Sequence, residues 1–163
     1  MVKEIIRFLQ SLLRYKEGDT QGNMPSPRTS LTWADVSYDK TNSVLIVRSL
    51  LSEVACVTVQ NTNSMEPLMD VGHQMIQCNA PEEIAQVSVG SIIVWSKITG
   101  YSGGTIHQIV SIDKDAQGWY CMTKGINNTV RDAEKVRRAD IRWVVMGVIW
   151  TTGEGYYKEK VGD

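Results

Sequence analysis

The chain has 163 residues, 42% of them hydrophobic and 21% charged, with 17 Lys and Arg against 18 Asp and Glu. That length suffices for one domain with a real core, and a formal net charge of −1 excludes a protein built around phosphate neutralisation, so no nucleic-acid partner is expected. No stretch reaches the roughly 20 uninterrupted apolar residues of a membrane helix, because Arg48 and Glu53 break the most apolar one, Ser43 to Val59.

Residues 1–16 are expected to form an amphipathic helix: Val2, Ile5, Ile6, Leu9, Leu12 and Leu13 recur at helical spacing, with Lys3, Arg7, Gln10 and Arg14 between them. Its apolar stripe suits docking on the domain, self-association with a second copy, or peripheral contact with a membrane surface. The interrupting charges exclude a signal-peptide pattern. The chain therefore reads as soluble, with a cytoplasmic setting favoured and membrane-peripheral or extracytoplasmic settings left open.

Residues 17–42 are expected to be a linker and irregular segment. The run 17–31 is rich in Gly, Pro, Ser and polar groups, which bury too little apolar surface to offset their ordering entropy. A short helical or irregular piece follows around Trp33 to Tyr38.

From residue 43 the period shortens. Val44–Val47, Ala55–Val59, Met75–Cys78, Ile92–Trp95, Ile106–Val110, Trp119–Met122 and Trp143–Trp150 are β-rich runs separated by turn residues such as Gly103-Gly104 and Asn127-Asn128. They predict a mainly β, antiparallel domain over 43–152, with a tail at 153–163. Cys56, Cys78 and Cys121 fall in apolar strands without CxxC or paired-His spacing, so they read as buried free thiols and no metal site is expected. Lys135, Arg137 and Arg138 read as a solvated loop face.

Peptide hydrolysis by serine needs an exposed, rigid hydroxyl, a base in reach, a group to orient the base, and donors for the oxyanion. Only His73 and His107 are available as imidazole bases. Asn61-Thr62-Asn63-Ser64-Met65-Glu66-Pro67 follows an expected strand, where a serine is presented to solvent in a turn.

Five elements in one order then resemble the type I signal peptidases, in their ER and archaeal branch. Ser64-Met65-Glu66-Pro67 is similar to the nucleophile box, and Val89-Gly90-Ser91-Ile92-Ile93-Val94-Trp95 to the strand after it. Ile106-His107-Gln108-Ile109-Val110 resembles the box that carries histidine in this branch and lysine in the bacterial one. Thr123-Lys124-Gly125-Ile126-Asn127-Asn128, followed by Asp132, resembles the aspartate box, and Val145-Met146-Gly147-Val148-Ile149 the closing strand. The likeness spans about residues 54–150.

The resemblance implies a signal-peptidase/LexA-like antiparallel β fold and a serine endopeptidase acting on extended polypeptide without a cofactor. Ser64 is implied as nucleophile, His107 as general base and Asp132 as the group that orients it. The oxyanion is expected at the Ser64 N–H and the Thr62 hydroxyl, although Thr62 also reads as a plain strand-end residue.

Four positions depart from the family: Asn63 replaces glycine, His73 stands where Gly-Asp is usual, and Ser91 and Ile126 replace aspartates. The family's N-terminal membrane span is missing too, which makes peptide-bond cleavage a firmer expectation than signal-peptide processing. Two alternatives use the same scaffold. A LexA-like self-cleaving regulator needs a lysine base, but Lys97 falls too early, Lys124 lies in the aspartate box, and 17–31 has no Ala-Gly or Cys-Gly pair. A catalytically silent peptide-binding module is the other.

Overall fold

The structure, a computed structural model, describes residues 27, 29, 31–48, 54–100 and 103–151. The helix expected over 1–16 and the tail expected over 153–163 lie outside the described residues. A 3-10 turn at Trp33–Asp35 leads into β1 (Val36–Asp39) and β2 (Val44–Val47), followed by β3 (Val54–Thr58) and β4 (Gln74–Cys78). Then come the short helix α1 (Pro81–Gln86), β5 (Ile92–Trp95), β6 (Thr105–Asp115), β7 (Gly118–Lys124), a second 3-10 turn at Arg138–Asp140, and β8 (Ile141–Ile149).

Six strands form one sheet in the order β3-β4-β8-β5-β6-β7, antiparallel throughout. The described part is thus mainly β, as the strand runs predict, and none of its helices is long and apolar enough to cross a membrane. β1 arises inside the segment expected to be linker and irregular. It pairs with β2 in a separate two-stranded sheet, so Val44–Val47 is a strand outside the main sheet. α1 is six residues long, too short to display helical periodicity. Pro81 and two acidic residues in its first turn, Glu82 and Glu83, favour its start.

β5 explains the apolar run Ile92-Ile93-Val94-Trp95. It lies between β8 and β6, and all four residues are buried. Alternation turns Ile93 and Trp95 to one face and Ile92 and Val94 to the other. The first pair packs with Ile109, Cys121, Val136 and Val144, and the second with Met65, Met69, Met75 and Val145. A strand covered on both faces has no solvent side on which to place polar residues. Burial of each such Ile or Val contributes about 1.5–3 kcal/mol, so β5 anchors both half-cores.

Two expectations need correction. Cys78 and Cys121 are buried, but Cys56 is exposed, because β3 is an edge strand with most of its residues open to solvent. Burial pushes the Cys121 thiol up to about 12, which keeps it protonated and inert. The basic cluster is engaged within the domain. Lys135 and Arg137 reach Asp115 at 2.7 and 2.8 Å, both lie over the Tyr120 ring, and Arg138 lies over Trp119. Together they brace the turn between β6 and β7.

The Arg137 hydrogen bond, followed by that of Lys135, holds the Asp115 carboxyl well below the usual carboxylate range. A folded-state pKa below the unfolded one gives stability that is present above the unfolded value and lost progressively as pH falls from there through the folded value. The Tm difference between wild type and Asp115→Asn is therefore expected to be largest near neutral pH and to shrink below about pH 4. Thermal melts across pH check this; a difference constant with pH contradicts it.

Candidate active site

His107 sits near the start of β6, where its register partner on β5 is Ile93. Alternation therefore places it on the Ile93 face, and it is only 6% exposed. A bulge after Ile109 shifts the β6–β7 register, so that Ile109 pairs with Thr123. Cross-strand partners share a face, which puts Thr123 on the same side as Ile109 and His107.

The chain leaves β7 at Lys124 and returns to the Thr123 carbonyl, to which Asp132 N–H donates at 2.8 Å. That return delivers the Asp132 carboxylate to two donors. His107 Nδ1 lies 2.6 Å from Asp132 Oδ2, and Thr123 Oγ1 donates to the same oxygen at 2.6 Å. A carboxylate only accepts, so the bonded Nδ1 carries the proton and Nε2 of the neutral ring keeps its lone pair. An imidazole held in this way can take a proton at Nε2 and can later give it back.

Ser64 follows Asn63, whose φ of +56° lies in the left-handed region. Asparagine tolerates that region better than other residues with a side chain, so the departure from glycine at 63 keeps the turn. Behind the serine, Met65 and Met69 bury into the core, and Met69 N–H donates to Met65 carbonyl at 3.0 Å. The serine is thus carried by a turn with apolar anchors.

The loop between Thr123 and Asp132 also grips this turn. Asn127 N–H donates to the Ser64 carbonyl at 2.9 Å, and Asn127 Nδ2 donates to the Asn63 carbonyl at 3.0 Å. A Cβ on Gly125 would lie 2.5 Å from Ser64 O and 2.8 Å from Asn128 Nδ2, so the loop closes over Ser64 only with glycine there. Lys124 Nζ is tied to the Asn128 carbonyl at 2.7 Å.

The expected residues thus meet in two groups joined by one loop. His107 and Asp132 are in direct contact. Ser64 Oγ lies 3.4 Å from the Thr62 hydroxyl, and among the described residues no direct hydrogen bond joins it to the His107 ring. Ser64 nevertheless lines a cleft of about 450 Å³ together with Ile106, the residue before His107.

The cleft lies over the Val94 face of the sheet. Its walls include Val57, Met65, Met75, Val94, Ile106 and Trp143, and among the described residues no charged one lines it. Sequence reasoning missed three contributors: Thr123 as second donor to Asp132, Asn127 as the clamp on Ser64, and Gln77 in the cleft. Thr123 carried a readable signal, being a polar residue in an otherwise apolar strand. Asn127 and Gln77 carried none that spacing reveals.

Thr123 is fully buried, and Thr123→Val removes one of the two donors to Asp132 while keeping the shape. It is expected to cost about 1–3 kcal/mol in urea unfolding. Asn63→Val is expected to cost about 1–2 kcal/mol through left-handed strain, whereas Asn63→Gly leaves stability within about 0.5 kcal/mol. Equal losses for both Asn63 variants would contradict this account of the turn. Compared with protein-family models, curated proteins and solved structures, the chain matches none of them.

Proposed function

We propose that this chain is a serine endopeptidase that cleaves extended polypeptide segments through an acyl-enzyme on Ser64. The observation that carries the reading is the half-buried His107–Asp132–Thr123 hydrogen-bond set, built by the loop whose Asn127 also holds the Ser64 carbonyl. The five-element resemblance to the ER and archaeal signal peptidases supports it from the sequence side.

In this reading Ser64 Oγ attacks the substrate carbonyl as His107 Nε2 takes its proton. The charge on the tetrahedral oxygen is met by the Ser64 N–H and the Thr62 hydroxyl. Collapse breaks the C–N bond, and the imidazolium returns its proton to the leaving amine. Water, activated by the same ring, then hydrolyses the ester and restores Ser64. Asp132 keeps the ring in the tautomer with Nε2 free and stabilises its cation, while Thr123 keeps the carboxylate in place.

Engagement of the two candidate lysines elsewhere favours histidine as base over the lysine of a LexA-like self-cleaving regulator. Lys124 is bound to the Asn128 carbonyl, and Lys97 to Asp140 and the Lys135 carbonyl. A second reading, a peptide-binding module that does not cut, is favoured by one feature: Ser64 Oγ is paired with Thr62 rather than with the imidazole. Catalysis in this reading then requires a rearrangement that brings Ser64 Oγ within hydrogen-bond reach of His107 Nε2, since such bonds commonly tighten only in the complex.

Incubation with an unfolded protein or a peptide library separates these. Cleavage in trans is expected to fall at least about 1,000-fold in Ser64→Ala and in His107→Ala. Self-truncation near 17–40 without trans activity would favour the regulator, and inactivity of wild type the binding module. Undiminished cleavage in His107→Ala would reject histidine as base.

A further inference from the structure

Gln77 is a misfit at the floor of the cleft. It is 5% exposed, it lines the cleft, and its Oε1 has no hydrogen-bond partner among the described residues. Its register partners are Ala55 on β3 and Val145 on β8, neither of which offers a polar side chain. The β4–β8 register also shifts between Ile76 and Gln77, the kind of irregularity that re-aims a side chain. A buried polar atom left unpaired costs stability that an apolar residue of similar size would not.

We infer that Gln77 is a specificity-determining residue, whose carboxamide recognises a neutral hydrogen-bonding side chain of the bound peptide, a Ser or Thr hydroxyl or an Asn or Gln carboxamide. This rests on the reading of the cleft as a peptide site. The terminal torsion of glutamine is soft and roughly two-fold, so the amide turns to offer either its oxygen or its NH₂ to such a group. The surrounding walls reward apolar contact around that one polar point, the usual make-up of a selective pocket. Charged side chains are disfavoured, because none of the described residues lining the cleft carries an opposite charge. The methionines at 65, 69 and 75 add adaptable walls on which the stem of the side chain rests. An aliphatic side chain would leave the Gln77 amide unpaired in a closed site, and that penalty is the source of discrimination.

The test uses blocked octapeptide libraries with one position fixed in turn as Thr, Val, Asn, Leu or Asp. Binding is measured to Ser64→Ala protein with and without Gln77→Leu, so the result does not depend on turnover. At one position Thr is expected to exceed Val, and Asn to exceed Leu and Asp, by about tenfold; Gln77→Leu levels or reverses the first two preferences. Gln77→Leu, with Gln77→Met as a second variant, is also expected to melt at or above the parent temperature, because the orphaned amide is gone. Equal binding of Val and Thr, a ratio unchanged by Gln77→Leu, absence of binding to either protein, or a Tm lowered by several degrees in both variants overturns the inference. Cleavage of the same libraries by wild type is scored separately. Turnover without polar preference sinks the role of Gln77 and spares the peptidase, and preference without turnover does the reverse.

Discussion

The account depends on one half-buried carboxylate oxygen that receives two hydrogen bonds. Asp132 Oδ2 is approached at 2.6 Å by both the His107 ring and the Thr123 hydroxyl, in a region closed enough that His107 is 6% exposed. Charge-assisted bonds of this kind are roughly twice as strong as neutral ones, and in a partly dry site a missing partner is costly. The pair therefore fixes more than a side chain: it sets the return path of the loop after β7. That path brings Asn127 onto the Ser64 carbonyl.

The sheet divides the work between its two faces. His107, Ile93, Ile109 and Thr123 share one, where the orienting bonds are sheltered. Ile106, Val94 and Met75 share the other, where the cleft opens beside Ser64. Single-residue alternation in β6 thus puts a candidate base and a cleft wall at adjacent positions. Glycine at 125 and asparagine at 63 let the two connecting loops approach at backbone distance. Two of the irregularities in register, after Ile109 and at Gln77, fall at or beside residues that face these two regions.

Much of the β architecture was legible because burial imposes period-two or continuous apolar runs on strands, and Ile92–Trp95 is the clearest of them. β1 was not: Val36–Asp39 is four residues long and ends in a polar turn, so it carries no more pattern than a loop. Cys56 looked like Cys78 and Cys121 because local composition does not say which strand lies at an edge. His107 and Asp132, which the structure brings into contact, were singled out through the order of motifs, as was Ser64, whose hydroxyl meets Thr62 instead. Thr123 and Asn127 stood within a recognised motif, yet their roles emerge only from register and loop closure. Gln77 was invisible, since an unpaired buried amide can be seen only when its surroundings are known.

The central claim is that Ser64 is a nucleophile activated by the imidazole that Asp132 holds. Its most direct measurement is acylation-type labelling of the whole protein by a fluorophosphonate, followed by mass spectrometry of the modified peptide. The account predicts a single adduct on Ser64, formed at least about 100-fold more slowly in His107→Ala and at an intermediate rate in Asp132→Asn. No adduct at Ser64, or labelling at the same rate without His107, would contradict it.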